Sequence, residues 1–173
     1  MRNTVIENIS EHSLDVAFIA HLLAVLRNKR FGGSVNPERV AVLAMYHDTT
    51  EILTGDLPTP IKYYNKDIKS VYSEIEANAS RQLLSYLPDD IKEEYRSLLC
   101  KDESEGELWE LVKAADKISA LIKCVEEKQM GNKDFSDAEI ATLKVIKDMN
   151  IKEANVFLEE FMPSYGLTLD KQT

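Results

Sequence analysis

The sequence predicts an all-α fold of six or seven helices. No segment alternates polar and apolar residues long enough to make a strand. Apolar residues recur instead at i, i+3, i+4 and i+7 in several stretches, and helix-starting and helix-stopping residues mark the intervals between them. The chain has 173 residues, with six Gly and five Pro, which leaves little room for linkers; one domain over 1–173 with a sizeable core is expected.

Asn8-Ile9-Ser10-Glu11 opens the first helix, capped by Asn8 or Ser10; with Asn8 as the cap, Glu11 can reach back to close a capping box. From Ser13 to Leu26 the chain is apolar on nearly all sides, so this helix is expected at the centre. His12 falls in line with Val16, Ile19 and Leu23 and so points inward, whereas His21 lies about half a rotation away, as a core or interface histidine. After the Phe31-Gly32-Gly33-Ser34 turn, Asn36-Pro37 supplies an N-cap and a first-turn proline. Val40, Leu43, Ala44 and His47 then share one core-facing stripe. Gly55 and the Pro58/Pro60 pair end regular helix.

Lys66 to Leu87 reads as a long helix with Ile68, Val71, Tyr72, Ile75, Ala79 and Leu83 in register, and Ile91, Tyr95, Leu98 and Leu99 make a short one. Leu108 to Val125 defines a further long helix, closed near Gly131, with Asp116 beside its buried stripe. Ser136-Asp137-Ala138-Glu139 reads as a capping box for the next helix, and a last one from Lys152 to Met162 is stopped by Pro163. Trp109 and the tyrosines Tyr72, Tyr86 and Tyr95 are expected in core or interface.

Lys and Arg number 21 against 30 Asp and Glu, a formal net charge of −9, and no basic cluster is present. That argues against a nucleic-acid polymer as partner but leaves room for a mononucleotide, whose phosphate a metal can neutralise. Two cysteines, Cys100 and Cys124, form neither a metal spacing nor a disulfide framework. With no secretory signal and no apolar run judged long enough to span a bilayer, a cytoplasmic protein without a membrane partner is expected.

Tyr46-His47-Asp48-Thr49-Thr50-Glu51 places an imidazole and a carboxylate together at a helix end, where both can reach one divalent ion. If the helix continues, Glu51 stands beside both. A satisfied core histidine at His47 is the alternative. Asp116, a carboxylate beside a buried stripe, requires a partner: either a metal shared with His12, His47 and Asp48, or Lys113 or Lys117.

The order of these residues, with the stretches Glu7 to Ser13, Ala44 to Glu51, Leu53 to Tyr63, Lys113 to Asp116 and Phe161 to Ser164, resembles the HD-domain metal phosphohydrolases, and within them the bacterial YfbR-like 5′-deoxynucleotidases. The resemblance covers essentially the whole chain. It implies an HD-domain helical bundle, a homodimer, and hydrolysis of deoxyribonucleoside 5′-monophosphates with a divalent cation such as cobalt or manganese. It implies His12, His47, Asp48 and Asp116 as metal ligands and Glu51 as the acid/base residue. Asp56, with Leu57, Pro58 and Thr59, would hold the sugar, and His12, Asp48 and Asp116 would also lie at the substrate. The family pattern carries an Arg-Trp pair shortly before the segment matching Met1-Arg2-Asn3; this chain begins after it and Arg2 matches a later arginine, so the expectation is either a start at an internal methionine of a longer reading frame or weaker substrate binding. Hydrolysis of nucleoside triphosphates or signalling nucleotides, and a non-catalytic nucleotide-binding module, are the competing expectations.

Overall fold

The computed structural model describes residues 3–4, 6–56 and 65–167. Among them there are helices and turns and no strand. The elements are α1 (Ile9–Arg30), α2 (Pro37–Tyr46), α3 (Glu51–Thr54), α4 (Lys66–Ser85), α5 (Lys92–Leu99), α6 (Gly106–Gln129), α7 (Ser136–Asp148), α8 (Lys152–Val156), a π-helical turn at Phe157–Phe161, and α9 (Met162–Tyr165). The pieces from Lys152 onward act as one bent helix; with the four-residue α3 set aside, seven helices stand among the described residues, as the expected six or seven helices and all-α class require.

α1 is the hub, packing against α2, α6 and α8, while α7 packs on α6. Val16, Ala20, Leu23 and Ala24 of α1 are fully buried with Val40, Leu43 and Ala44 of α2 and Leu111, Ala114, Ala115 and Ile118 of α6. The alanines let the three backbones approach closely; each buried leucine contributes about 1.5–3 kcal/mol through apolar surface removed from water. Asn8 caps α1 with its side chain on the Ser10 and Glu11 amides, and the Glu11 carboxylate returns to the Asn8 amide, as expected of a capping box. Asn36 caps α2 with its side chain on the Arg39 amide, with Pro37 in the first turn.

The ends of the hub are tied down by charge. Arg27 donates from Nε to Glu153 at 2.8 Å and from Nη1 to Glu107 at 3.0 Å, joining the end of α1 to α8 and α6. At the other end of the bundle the fully buried Glu127 accepts the Thr4 amide on both carboxylate oxygens, at 2.8 and 2.9 Å, and Asn132 Nδ2 at 2.8 Å.

Five expectations are corrected. α1 is not buried all round: Leu14, Phe18 and His21 are exposed, because α2, α6 and α8 cover only part of its circumference. α1 is long and apolar enough, by length and composition alone, to cross a membrane, although its buried face is covered by neighbouring helices. Ser136 is the first residue of α7 rather than its cap, and no side chain caps that helix; the turn at Lys133–Phe135 leads directly into it. Pro163 does not stop the last helix, since the wide turn at Phe157–Phe161 precedes it and Pro163 sits in the first turn of α9, where a missing N–H is tolerated. Finally, Tyr86, Val71 and Ile75 are exposed, since α4 rests on α5 and α3 only along the side carrying Tyr72, Ala79 and Leu84.

Candidate metal centre

Three elements bring the sequence-predicted ligands together. His12 lies in the first turn of α1, His47 is the C-terminal cap of α2, Asp48 follows it, and Asp116 sits midway along α6. α2 does not continue into Glu51: the chain turns through His47–Thr50 and restarts at Glu51, whose amide donates to the Asp48 carbonyl at 2.9 Å. That turn is what lets adjacent residues serve one point, since on an unbroken helix they would diverge by about 100°.

The donor atoms face one another. His47 Nε2 lies 3.1 Å from Asp48 Oδ2, His12 Nε2 lies 3.6 Å from the same oxygen and 3.4 Å from Asp116 Oδ1, and the two imidazole centroids are 5.4 Å apart. Ligand atoms of His12, His47 and Asp48 all fall within 4.8 Å of one another. Neighbouring donors around a small octahedral dication at about 2.1 Å stand roughly 3.0 Å apart, so a modest contraction accommodates an ion. The fit is sharpened by His47. Its Nδ1 lies 2.7 Å from the Ala44 carbonyl oxygen, which makes Nδ1 the donor and leaves Nε2 an acceptor, and that buried Nε2 has no hydrogen-bond partner among the described residues. A buried lone pair beside the Asp48 carboxylate suits a cation.

Electrostatics agree with the geometry. Burial by itself would lower the His12 pKa, but its contact with Asp116, and the charges of Asp116, Asp48 and Glu7, outweigh it and raise the pKa above the ordinary imidazole value. Burial would raise Asp116, yet His12, Lys117 and His47 hold its carboxyl far below the usual range. Both shifts favour the His12 imidazolium beside the Asp116 carboxylate.

Asp116 makes two contacts: Oδ1 lies 3.4 Å from His12 Nε2, and Oδ2 accepts from Lys117 Nζ at 2.9 Å, the lysine pairing that the sequence offered as one of two alternatives. Glu51, partly buried, opens α3 directly after the ligand turn. Asp56 is exposed. It follows Gly55, whose φ of 68° and ψ of 162° belong to a region essentially reserved for glycine. The Gly55 carbonyl accepts from the buried Tyr72 hydroxyl at 3.3 Å and from Thr54 Oγ1 at 3.0 Å. Leu57, Pro58, Thr59 and Arg2 lie outside the described residues.

Two neighbours escaped sequence reasoning. Glu7 Oε2 stands 3.9 Å from His12 Nδ1, on the side away from the cluster; it precedes the helix cap, where no periodicity could place it. Tyr72 anchors the Asp56 turn from α4, a long-range contact with no local signal. A cleft of about 690 Å³ at the opposite end of α1, lined by Arg27, Phe31, Lys113 and Lys152 among others, includes none of the sequence-predicted site residues. Its principal charge, Arg27, is already paired with two carboxylates, so the chemistry points to the histidine cluster.

Known proteins match this chain over nearly its whole length. The family model described as 5′-deoxynucleotidase YfbR-like covers residues 1–165. A 5′-deoxynucleotidase of Vibrio cholerae serotype O1 is 49% identical over 171 residues, covering 99% of this chain and 88% of the relative. One from Photorhabdus laumondii is 45% identical, covering 99% and 87%. Among solved structures, an HD-domain phosphohydrolase from Listeria innocua superposes with a TM-score of 0.79 at 26% identity, covering 95% of this chain and 79% of that one. A Pyrococcus horikoshii protein at 24% identity and a TM-score of 0.64 shares the fold.

Proposed function

The chain belongs to the YfbR-like 5′-deoxynucleotidase family, and from that premise we propose how its own residues carry the reaction. The protein is a phosphoric monoester hydrolase that converts deoxyribonucleoside 5′-monophosphates to deoxynucleoside and phosphate. His12, His47, Asp48 and Asp116 hold one divalent cation. The observation that carries this assignment is the orphaned, buried His47 Nε2 facing the Asp48 carboxylate that His12 also approaches. Two imidazoles and two carboxylates form a mixed nitrogen and oxygen set, which suits cobalt or manganese. A cation bound there supplies a Lewis acid for the phosphate and favours ionisation of a nearby water.

Glu51 then manages the proton. As the water oxygen bonds to phosphorus and the bond from phosphorus to the 5′-oxygen breaks, Glu51 accepts a proton from the water and returns one to the departing oxygen. Asp56 accepts a hydrogen bond from the 3′-hydroxyl, and Leu57, Pro58 and Thr59 are assigned to the same sugar-binding stretch. The Tyr72 anchor on Gly55 supports this reading, because it limits the ordering needed when the sugar binds.

The same reading extends to assembly and location. Leu14 and Phe18, 45% and 66% exposed and one turn apart on α1, make an apolar stripe suited to a second copy of the chain in a homodimer. Cys100 and Cys124 are free thiols, in keeping with a reducing cytoplasm. A phosphate-release screen with stripped and with cobalt- or manganese-loaded protein tests the function. Phosphate from deoxynucleoside monophosphates only with metal, and little from ribonucleotides, is expected; equal rates on both sugars, or pyrophosphate from triphosphates as the main product, overturns it. Light scattering of the wild type and of Phe18→Glu tests the dimer, which fails as a proposal if the wild type is monomeric.

A further inference from the structure

We infer that Lys117 is the phosphate-binding cation of this enzyme, exchanging its contact with Asp116 for the substrate's phosphate oxygens when the dication is bound. The inference rests on the reading of the histidine and aspartate cluster as the seat of the phosphate.

The geometry is unusual for a helix. Asp116 and Lys117 are consecutive residues of α6, and consecutive side chains point about 100° apart, so they do not form a regular surface pair. Yet Lys117 Nζ lies 2.9 Å from Asp116 Oδ2. Its four-carbon stem curls back toward the cluster and keeps the ammonium at the site's edge, 38% exposed, rather than extended into solvent. A flexible point charge on such a stem can pivot by a few ångströms without any backbone movement. Asp116 Oδ1 meanwhile lies 3.4 Å from His12 Nε2, so the lysine and the histidine take different oxygens of the one carboxylate.

A charge count shows why a cation is required there. Asp48 and Asp116 together offset a dication, leaving the centre near neutral. A phosphate monoester then brings a charge of about −1.5 to −2 beside the further carboxylate of Glu51. Without a counter-charge, substrate binding would place like charges together in a partly buried site. When the dication binds Asp116, the attraction holding Lys117 to that carboxylate weakens, and the arriving phosphate becomes the stronger partner. Lysine commonly serves phosphate as a point charge of this kind.

The alternative is that Lys117 merely orients Asp116 for the metal. The two roles separate experimentally. Manganese-loaded wild type, Lys117→Ala and Lys117→Arg are compared for KM and kcat with a deoxynucleoside monophosphate, for competitive inhibition by inorganic phosphate, and for manganese affinity by titration calorimetry without substrate. For Lys117→Ala, KM and the phosphate inhibition constant are each expected to rise about tenfold or more, the size of a charge-assisted contact. Manganese affinity is expected to be unchanged or tighter, because a competitor for Asp116 is gone, and Lys117→Arg should recover most of the phosphate affinity. Unchanged KM and phosphate inhibition, or weakened manganese binding as the main defect, overturns the inference. Inactivity of the loaded wild type itself would instead sink the function on which it rests.

Discussion

His12 Nε2 and Asp116 Oδ1 stand 3.4 Å apart, joining the first turn of α1 to the middle of α6 across the core. In metal-stripped protein this pair has a definite pH signature. The folded-state pKa of His12 is raised above 6.5, so its contribution to stability is complete below that value and fades as pH rises through the raised pKa. Asp116 is shifted down from 3.8, so its contribution is present above that value and is lost only as pH falls through the depressed pKa. Melting temperature without metal should therefore fall as pH is raised above 6.5, while metal affinity climbs over the same interval as the competing proton leaves. A flat melting profile from pH 6 to 9 in chelator-treated protein would show that the pair is not coupled.

Replacing Asp116 with Asn removes the charge of one proposed metal ligand and weakens a contact of both His12 and Lys117. Bound manganese, counted by elemental analysis after dialysis, should drop well below one per chain, with retained helical circular dichroism. Full occupancy in this variant would exclude Asp116 from the ligand set. The corresponding expectation holds for His47→Ala, which deletes the orphaned Nε2.

Glu51→Gln preserves size and the amide bond to the Asp48 carbonyl, so metal content should be unchanged. Turnover should fall by about a hundredfold or more, the usual scale of a proton-transfer role. Near-normal turnover would place the acid/base function on another group.

Asp56 is tested through the substrate. A 2′,3′-dideoxynucleoside monophosphate offers no 3′-hydroxyl, so kcat/KM should fall by about tenfold or more with wild type and change little further with Asp56→Ala. If the two substrates are equally good, Asp56 does not read the sugar.

At Gly55 the cost of a side chain is conformational, because among the described residues nothing beyond its chain neighbours lies within 4 Å of where a Cβ would be. Gly55→Ala should cost about 1–3 kcal/mol through its positive φ, or the turn should relax and misplace Asp56. Loss of kcat/KM on the deoxy substrate with metal content intact is the expected reading. An unchanged enzyme would show that the turn's conformation is incidental.

Much of this arrangement was legible because it is local. Asn8 with Glu11, and Asn36 with Pro37, announce their helices within a few residues, and the phase of His12 with Val16, Ile19 and Leu23 places it on an inner face. The pairing of His47 with Asp48 was visible as adjacency, and its meaning came from the turn that follows Tyr46. What could not be read is long-range or depends on which faces find partners. Tyr72 on Gly55, and Glu127 on Thr4, connect segments with no shared pattern. The exposure of Leu14 and Phe18 is decided by which helices cover α1 rather than by hydrophobicity. Ser136 had the right residues for a cap, but the preceding turn took over the helix start.

The bond between Thr4 and Glu127 spans 123 positions of the chain and closes just ahead of the helix that carries His12. Loop closure on that scale comes late in folding, after the neighbouring helices have docked, and contacts made late tend to open first. Thr4 thus bolts the approach to the first turn of α1, and its release would free His12, one of the four proposed metal ligands, while the other three stay in place. Ion exchange should then be gated by this local opening rather than by global unfolding. The Thr4 amide should exchange hydrogen faster than the amides of Leu23 or Ile118, and Glu127→Gln should speed manganese release more than it lowers the melting temperature would suggest. Release that keeps pace only with whole-protein unfolding would assign the bolt a purely architectural part.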